Sequence, residues 1–440
     1  MTVVITPALL REGPPAQAQP RRVLWRAFWG SRLIVFLTGV VAVAQFGNQP
    51  VTGVYDPNRL TAPFGYFANL LVSPFARWDS AWYLAVAKWG YGAQRSGVPL
   101  NPSQPLARMN FFPLYPMLIH GLGWVLRSDL LAGVVISLAA FAVALALLHR
   151  LVVLDFGAEV AEAAVLLLAF CPMAFYLSAV YTESLFLALA LGAFYAARRG
   201  RWFWAGLLGA LAAATRVEGV LLVIPLVMLA RWRRDRPDGT GRAWSLSPSA
   251  WRVPPASVLW VALVPVGLLA YVVYLALSYG QGLAPFHAQS LFWMHKQTWP
   301  FGAVWKGAVA AFHGLEQLTQ GPTMPYHVAL YAGGPVFSGM QDIYLFLFLV
   351  VIVVAFLAGL RRLPPAYSAY TLLSLALPLS DPVVPSPLGS IPRYAMVAFP
   401  LFIWGAQVVV RRHLTVTVVA VGAVLLGLFT AEFATWVWVG

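Results

Sequence analysis

The stretch LLAGVVISLAAFAVALALL, residues 130–148, contains no charged side chain and a single hydroxyl group, that of Ser137. A helix needs about 20 consecutive apolar residues to cross the hydrocarbon core of a bilayer. Similar apolar blocks occupy residues 33–46 and 345–357. These blocks leave few polar positions to face water, so they predict membrane-spanning helices.

The composition of the chain agrees with a membrane protein. Of its 440 residues, 60% are hydrophobic and 10% are charged, whereas soluble domains carry about 25% charged residues. The net charge of +14 does not indicate nucleic-acid binding, because basic pairs such as Arg361–Arg362 and Arg411–Arg412 follow apolar segments. That is the distribution expected of cytoplasmic loops.

Basic residues before the first apolar segment place the N-terminus in the cytoplasm. From there the sequence predicts an all-α, polytopic integral membrane protein with about 11 transmembrane helices. The predicted spans are residues 27–46, 130–148, 160–177, 182–197, 203–214, 217–229, 258–278, 343–360, 367–379, 394–410 and 414–430.

Polar and Pro-rich segments divide the chain into two transmembrane modules. The predicted division is a disordered cytoplasmic tail at 1–21, a first module at 22–231 with an external loop at 47–129, a cytoplasmic loop at 232–256, and a second module at 257–440 with an external loop at 279–341. Residues 112–127 are predicted to be interfacial or re-entrant, because a crossing there would place the later basic clusters outside. No internal repeat is evident, which argues against the inverted-repeat transporter folds.

Acidic residues are scarce, so those outside the predicted cytoplasmic loops are informative. Asp79 lies in FARWDSAWYL, residues 75–84, where helical spacing surrounds it with Trp78 and Tyr83. A carboxylate at this place can accept a proton from an acceptor hydroxyl. The alternative is a structural ion pair between Asp79 and Arg77.

Two more acidic residues lie at predicted helix ends. Glu183, in VYTESLF at 180–186, suits the first turn of a helix that Thr182 or Ser178 would cap. Arg216 and Glu218 lie in the turn ATRVEG, between helices too short to cross unaided. That turn is predicted to lie in a recessed cavity, where the pair forms either a local salt bridge or a ligand contact.

Several cations also face the predicted external side. Arg393 precedes Tyr394 at the mouth of a helix, and His295 and Lys296 lie in the aromatic stretch LFWMHKQTW. Arg and Lys bind phosphate through charge-assisted hydrogen bonds, and the alternative is snorkelling towards lipid headgroups. His295 is interpreted as an interfacial aromatic residue, since no metal-binding motif is present.

These residues predict an external vestibule and leave two classes of function open. One is an enzyme acting on a lipid-linked, phosphate-bearing substrate. The other is a transporter or flippase, which would require paired charges near the bilayer midplane.

Four elements, in order along the chain, resemble the PIG-V family of membrane mannosyltransferases. They are RWDSAWYLAVAKWGY (77–91), FFPLYP (111–116), YTES (181–184) and TRVEG (215–219), with a plausible Pro-Arg-Tyr at 392–394. Val217 and Glu218 depart from the family's Arg-Ser-Asn-Gly. The second half of the chain matches mainly in hydropathy.

The resemblance implies a GT-C type glycosyltransferase that inverts the anomeric carbon and needs no metal or other cofactor. It implies a polyprenyl-phosphate-linked donor, with mannose as the default sugar, and a lipid or glycan acceptor on the extracytoplasmic face. A high content of Ala, Arg, Gly and Pro suggests a prokaryotic plasma membrane. Asp79 becomes the predicted general base. The predicted substrate-binding residues are Arg77, Trp78, Tyr83, Tyr181, Glu183, Arg216, Glu218, His295, Lys296, Arg393 and Tyr394. The roles of Arg393 and Lys296 rest on charge and position.

Overall fold

The computed structural model describes residues 20–47, 56, 58–92, 104–231, 256–293, 295–320, 339–384 and 386–439. Within these ranges the regular secondary structure is helical and no β-strand forms, apart from an isolated bridge between His295 and Val383. The all-α prediction is therefore confirmed.

Helices α1 to α10 precede the predicted cytoplasmic loop. They are α1 (Pro20–Phe46), α2 (Tyr66–Val72), α3 (Ser80–Trp89), α4 (Gln104–Arg108), α5 (Leu114–Leu126), α6 (Asp129–Phe156), α7 (Ala158–Ala169), α8 (Glu183–Arg198), α9 (Trp202–Ala213) and α10 (Val223–Arg231). In the part of the chain that the structure describes, four short 3-10 segments lie between helices, at Ser73–Phe75, Ala174–Leu177, Val217–Leu222 and Ala256–Leu263.

The described residues of the second part of the chain form eight more helices. They are α11 (Val264–Tyr279), α12 (Ala284–Phe292), α13 (Gly302–Gln320), α14 (Gly339–Gly359), α15 (Pro365–Ser380), α16 (Ile391–Val397), α17 (Pro400–Arg411) and α18 (Thr415–Ala434).

Five helical segments among the described residues are long and apolar enough to cross a bilayer. They are Pro20–Phe46, Asp129–Phe156, Ala256–Tyr279, Met340–Gly359 and Thr415–Ala434. Helices α16 and α17 make a sixth if they form one span, bent by 81°. Helical structure covers most of each predicted span, but residues 170–173 interrupt the span at 160–177 and residues 398–399 interrupt the span at 394–410. The other helices are also short, so the count of about eleven crossings stays a prediction.

Two predicted boundaries move by one or two residues. Helix α1 begins at Pro20, so Pro20 and Arg21 belong to the helix and not to the tail. Proline suits a first helical turn, because its missing N–H would have no partner there. Ala256 begins a 3-10 segment and is not the end of a loop. The rest of the predicted tail and residues 232–255 lie outside the described residues.

The predicted first external loop, residues 47–129, contains four short helices among its described residues, α2 to α5. Helix α5 has 13 residues, which is too short for an ordinary crossing, and its re-entrant or interfacial position stays a prediction. The second predicted external loop contains α12 and α13, and α13 packs along α14.

Long helices hold the short ones in place. Helix α6 packs along α8, α8 packs against α9, and α1 packs against α18. The largest apolar cluster includes Phe141, Leu187, Phe194 and Phe399, which are fully buried. This packing brings the N-termini of α3 and α8 next to α16, where the charged side chains meet.

Candidate active site

Asp79 occupies the N-cap position of α3, but its side chain makes no capping hydrogen bond. The preceding residue, Trp78, has a φ of +52°, a left-handed conformation that costs about 1–3 kcal/mol for a non-glycine residue. The turn before α3 is therefore strained. It directs the carboxylate away from its own helix.

Arg393 is the ionic partner of Asp79. Its Nη1 donates to Asp79 Oδ2 at 2.8 Å, and its Nε lies 3.4 Å from Glu183 Oε1. Arg393 is held in α16, which follows another residue in the left-handed region, Ser390, with a φ of +70°. One guanidinium thus joins the first turn of α3 to the first turn of α8.

A second arginine extends the same network. Arg216 Nη1 donates to Glu183 Oε1 at 2.9 Å, and its Nη2 donates to Glu218 Oε1 at 3.2 Å. The turn that carries both residues ends at Gly219, where a Cβ atom would collide with the backbone of Ala212 and Ala213. Only glycine fits there, so the close approach of this turn to α9 fixes the position of Arg216.

Three carboxylates and two guanidiniums form one connected chain of charges, which we call the carboxylate–arginine network. Its order is Asp79, Arg393, Glu183, Arg216 and Glu218. Taking such groups out of water costs several kcal/mol for each ion, which only close pairing offsets. The formal charge of the network is −1, so the two cations do not neutralise all three acids.

The network is not saturated with hydrogen bonds. Glu183 Oε2 is buried and has no hydrogen-bond partner among the described residues. A buried acceptor without a partner is costly, and such groups occur where a ligand completes the site. Asp79 is the most exposed member, with 18% of its side chain accessible, against 1% for Glu183. Asp79 therefore offers the most open face of the network.

Aromatic side chains wall the network. The Tyr181 hydroxyl accepts from the Asp79 N–H and donates to the Arg77 carbonyl, both at 3.2 Å. The Arg393 guanidinium lies 5.4 Å from the Tyr181 ring, and the Arg216 guanidinium lies 4.9 Å from the Tyr394 ring. Burial raises the pKa of Tyr181 well above its usual value, so its hydroxyl keeps its proton and holds the backbone beside Asp79.

Arg77 and Trp78, which immediately precede Asp79, do not enter the network. Arg77 Nε donates to the Ala434 carbonyl at 2.7 Å, and its Nη1 donates to Ser73 and Ala76 carbonyls. The Trp78 ring packs against Trp436 and Trp438. The alternative of an Asp79–Arg77 ion pair is therefore wrong, because the Arg77 guanidinium is directed towards the C-terminal segment.

His295 and Lys296 contact a different segment. His295 Nδ1 lies 2.6 Å from the carbonyl oxygen of Asp381 and 3.3 Å from its carboxylate. The Lys296 N–H donates to the Pro382 carbonyl, and its side chain is exposed. Within the described ranges, no hydrogen bond or ion pair joins either residue to the network.

The structure adds two contact residues that sequence reasoning did not select. Thr182 stands at the N-cap of α8 without capping it, and its hydroxyl lies 3.3 Å from the Tyr83 hydroxyl and 3.4 Å from Arg216 Nη1. Tyr176 places its ring under Arg393.

The expected cap of α8 by Thr182 or Ser178 is wrong. The Thr182 side chain makes no capping hydrogen bond, and the Ser178 hydroxyl accepts from Arg32. The only signal for Thr182 was its place beside Glu183.

The part of the chain that the structure describes contains no group of three or more His, Cys, Asp or Glu side chains arranged to hold a metal ion. The carboxylates of the network are separated from one another by arginines. That catalysis needs no metal stays a prediction.

The family model described as Mannosyltransferase (PIG-V) matches residues 22–231. The PIG-V resemblance is confirmed for this range. The matched range carries Asp79, Glu183, Arg216 and Glu218, whereas Arg393 lies outside it. Four of the five members of the network therefore lie in the PIG-V segment.

A curated relative gives the same indication. Over 179 residues the chain is 34% identical to the GPI alpha-1,6-mannosyltransferase 2 of Rattus norvegicus. The match covers 38% of this chain and 35% of the relative, and so it spans only about a third of that protein.

Proposed function

We propose that the protein is an inverting mannosyltransferase, which moves mannose from a polyprenyl-phosphate donor to a lipid or glycan acceptor on the extracytoplasmic face. The observation that carries the proposal is the contact between Asp79 and Arg393, which places a partly exposed carboxylate against a buried guanidinium. Inverting transfer from a phosphate-linked sugar needs a carboxylate that takes the acceptor proton on one face of the sugar and a cation that holds the leaving phosphate on the opposite face. Asp79 and Arg393 would therefore separate when the donor binds between them. The match to the PIG-V family model over residues 22–231 supports mannose as the transferred sugar.

The proposed reaction is a single displacement. The acceptor hydroxyl attacks C1 of the mannosyl group from the side opposite the phosphate, and its proton passes to Asp79. The C1–O bond to the phosphate breaks, and its electron pair leaves with the polyprenyl phosphate. A guanidinium facing the leaving oxygen stabilises the charge that develops there. Arg393 supplies that guanidinium.

Substrate binding would also prepare the base. In the structure Asp79 Oδ2 accepts from Arg393, while Asp79 Oδ1 makes no hydrogen bond with a described residue. A donor phosphate competes with both carboxylates for Arg393, because phosphate accepts charge-assisted hydrogen bonds from a guanidinium. As Arg393 turns to the phosphate, Asp79 loses its partner and becomes a better proton acceptor.

Glu183 would orient a substrate. Its free Oε2 is a buried acceptor within the network, and a sugar hydroxyl that donates to it would remove the cost of leaving it unpaired. A sugar donor that lacks this hydroxyl would leave Glu183 Oε2 without a hydrogen-bond partner again. The site would therefore discriminate between sugars that differ at one hydroxyl.

The test is a glycosyl-transfer assay on purified protein with polyprenyl-phosphate-mannose and a panel of lipid acceptors. We expect transfer by the wild type and a fall of about 10²–10⁴-fold for Asp79→Asn, the range for loss of a general base. Donor binding should be kept in the variant. Equal transfer by both proteins would remove Asp79 as the base. Donor binding without transfer to any acceptor would favour a flippase.

A further inference from the structure

A groove of about 540 Å³ opens between α6, α8 and α9, and no member of the carboxylate–arginine network is among the described residues that line it. One face of each helix lines it, since the lining residues recur at helical spacing. Those residues are Ile136, Ala139, Ala140, Val143 and Leu147 of α6; Leu185, Ala188, Leu189, Gly192, Tyr195 and Ala196 of α8; Arg199 and Arg201 of the α8–α9 turn; and Trp204 and Leu208 of α9.

Small residues account for the depth of the groove. Ala139, Ala188, Gly192 and Ala196 stand where larger side chains would fill it. At Gly192 a Cβ atom would already lie 3.0 Å from Leu208. The groove is therefore a consequence of the sequence of α8 and α6.

The groove is amphipathic along its length. From Ile136 and Leu185 to Ala196 its walls are apolar, apart from the Tyr195 hydroxyl. The opposite end carries Arg199, Arg201 and the half-exposed indole of Trp204. An aromatic ring beside basic residues is typical of the level of the lipid headgroups.

The two arginines at this end are available for a ligand. Neither Arg199 nor Arg201 forms an ion pair with a described residue, whereas the adjacent Arg198 pairs with Asp155. Among the described residues that line the groove, none is acidic. Arg201 also stands at the N-terminus of α9, where the helix dipole favours an anion.

We propose that this groove binds an anionic diacyl phospholipid, with its phosphate at Arg199 and Arg201 and one acyl chain along the apolar wall. Basic pockets between transmembrane helices bind the headgroups of anionic lipids in this way. The shape and charge of the groove match an amphiphile with one anionic end.

This lipid would be distinct from the sugar donor. Glu183 begins α8 and Arg199 follows its last residue, so the two lie 16 residues apart, or about 24 Å along the helix axis. A donor with its phosphate at Arg393 cannot place the same phosphate at Arg199. The inference therefore does not rest on the proposed function, and it can be tested without a transfer assay.

The test compares phosphatidylglycerol with phosphatidylcholine as ligands of the purified protein. Bound lipid would be counted by native mass spectrometry, and the thermal midpoint would be measured in nanodiscs of phosphatidylcholine with and without phosphatidylglycerol. We expect the wild type to retain one phosphatidylglycerol in preference and to melt at a higher temperature with it, since a ligand of the folded state stabilises that state.

Arg199→Gln combined with Arg201→Gln should lower the affinity for phosphatidylglycerol by about 10- to 30-fold, because each cation near the membrane surface contributes about 1 kcal/mol. The matched control is Arg411→Gln with Arg412→Gln, an exposed basic pair that does not line the groove. The control should keep the wild-type preference. Ala139→Phe, at the exposed rim, should weaken binding with both arginines in place.

Three outcomes would overturn the proposal. One is a wild type that does not prefer phosphatidylglycerol. Another is an equal loss in the Arg411–Arg412 control, which would mean general attraction to a basic surface. The third is a dimer that Ala139→Phe dissociates, which would assign the groove to a second copy. All variants should melt alike in phosphatidylcholine alone, which tests their folding.

Discussion

Two buried arginines lie close to Asp79, and they differ in what holds them. Arg77 lies two residues before Asp79 and donates to backbone carbonyls. Arg393 lies 314 residues after it and is held by the carboxylates of Asp79 and Glu183. A guanidinium that donates to backbone carbonyls holds the backbone in place. A guanidinium that pairs with carboxylates can exchange them for another anion, such as a phosphate. Distance in the sequence thus says little about which arginine serves the site.

Of the two arginines, Arg393 is expected to give the larger effect on transfer when it is replaced, as in Arg393→Gln. Loss of the guanidinium should lower kcat/KM for transfer by about 10²–10³-fold, the cost of removing one donor to a developing anion. Arg393→Lys should recover part of the loss, because a lysine keeps the charge but not the fork that reaches both acids. Transfer rates of folded, purified protein measure this. An unchanged kcat/KM would place the leaving phosphate elsewhere.

Arg77→Met should affect stability more than catalysis. It removes hydrogen bonds from a charged donor to buried carbonyls, and we expect the free energy of unfolding to fall by about 2–4 kcal/mol. Burial lowers the pKa of Arg77 to about 9, so the side chain remains charged at neutral pH. Thermal melting and transfer per folded molecule would be measured together. A normal melting midpoint with lost transfer would reverse the roles of the two arginines.

Glu218→Gln should have a smaller effect than either. Glu218 shares Arg216 with Glu183 and is 10% exposed, so Arg216 keeps one buried partner. We expect a loss of about 3- to 10-fold in transfer, equivalent to about 1 kcal/mol. Glu183→Gln is the comparison variant, since it removes the carboxylate that touches both arginines. A larger loss in Glu218→Gln than in Glu183→Gln would contradict this order.

The smallest effect is expected for Lys296→Gln. The side chain is exposed and lies outside the network, so a role in donor binding would appear as a change in KM of about threefold, the size of a weak surface charge contact. Varying the salt concentration would check it, because screening weakens exposed charges. A large fall in kcat would bring Lys296 into the catalytic site.

Much of the site could be chosen from the sequence. Acidic residues outside the predicted cytoplasmic loops are rare, so the sequence points to Asp79, Glu183 and Glu218. Arg216 is predicted with them because it lies in the same turn as Glu218. Arg393 was selected on charge and position alone. Which arginine pairs with Asp79 could not be predicted from the sequence. Arg77, two residues away, and Arg393, far away in sequence, appear equally suitable until the packing of the helices is known.

The sequence by itself determined that the chain is a helical membrane protein, because backbone polar groups in hydrocarbon must be satisfied within helices. It also determined which charged residues need a partner, because an unpaired charge near or within the membrane is costly. Tertiary structure alone decided the partners. The strained turns at Trp78 and Ser390 and the packing of Gly219 against α9 direct three distant segments to one point. Only there do Asp79 and Arg393 meet, because side-chain contacts depend on how helices cross and not on their separation along the chain.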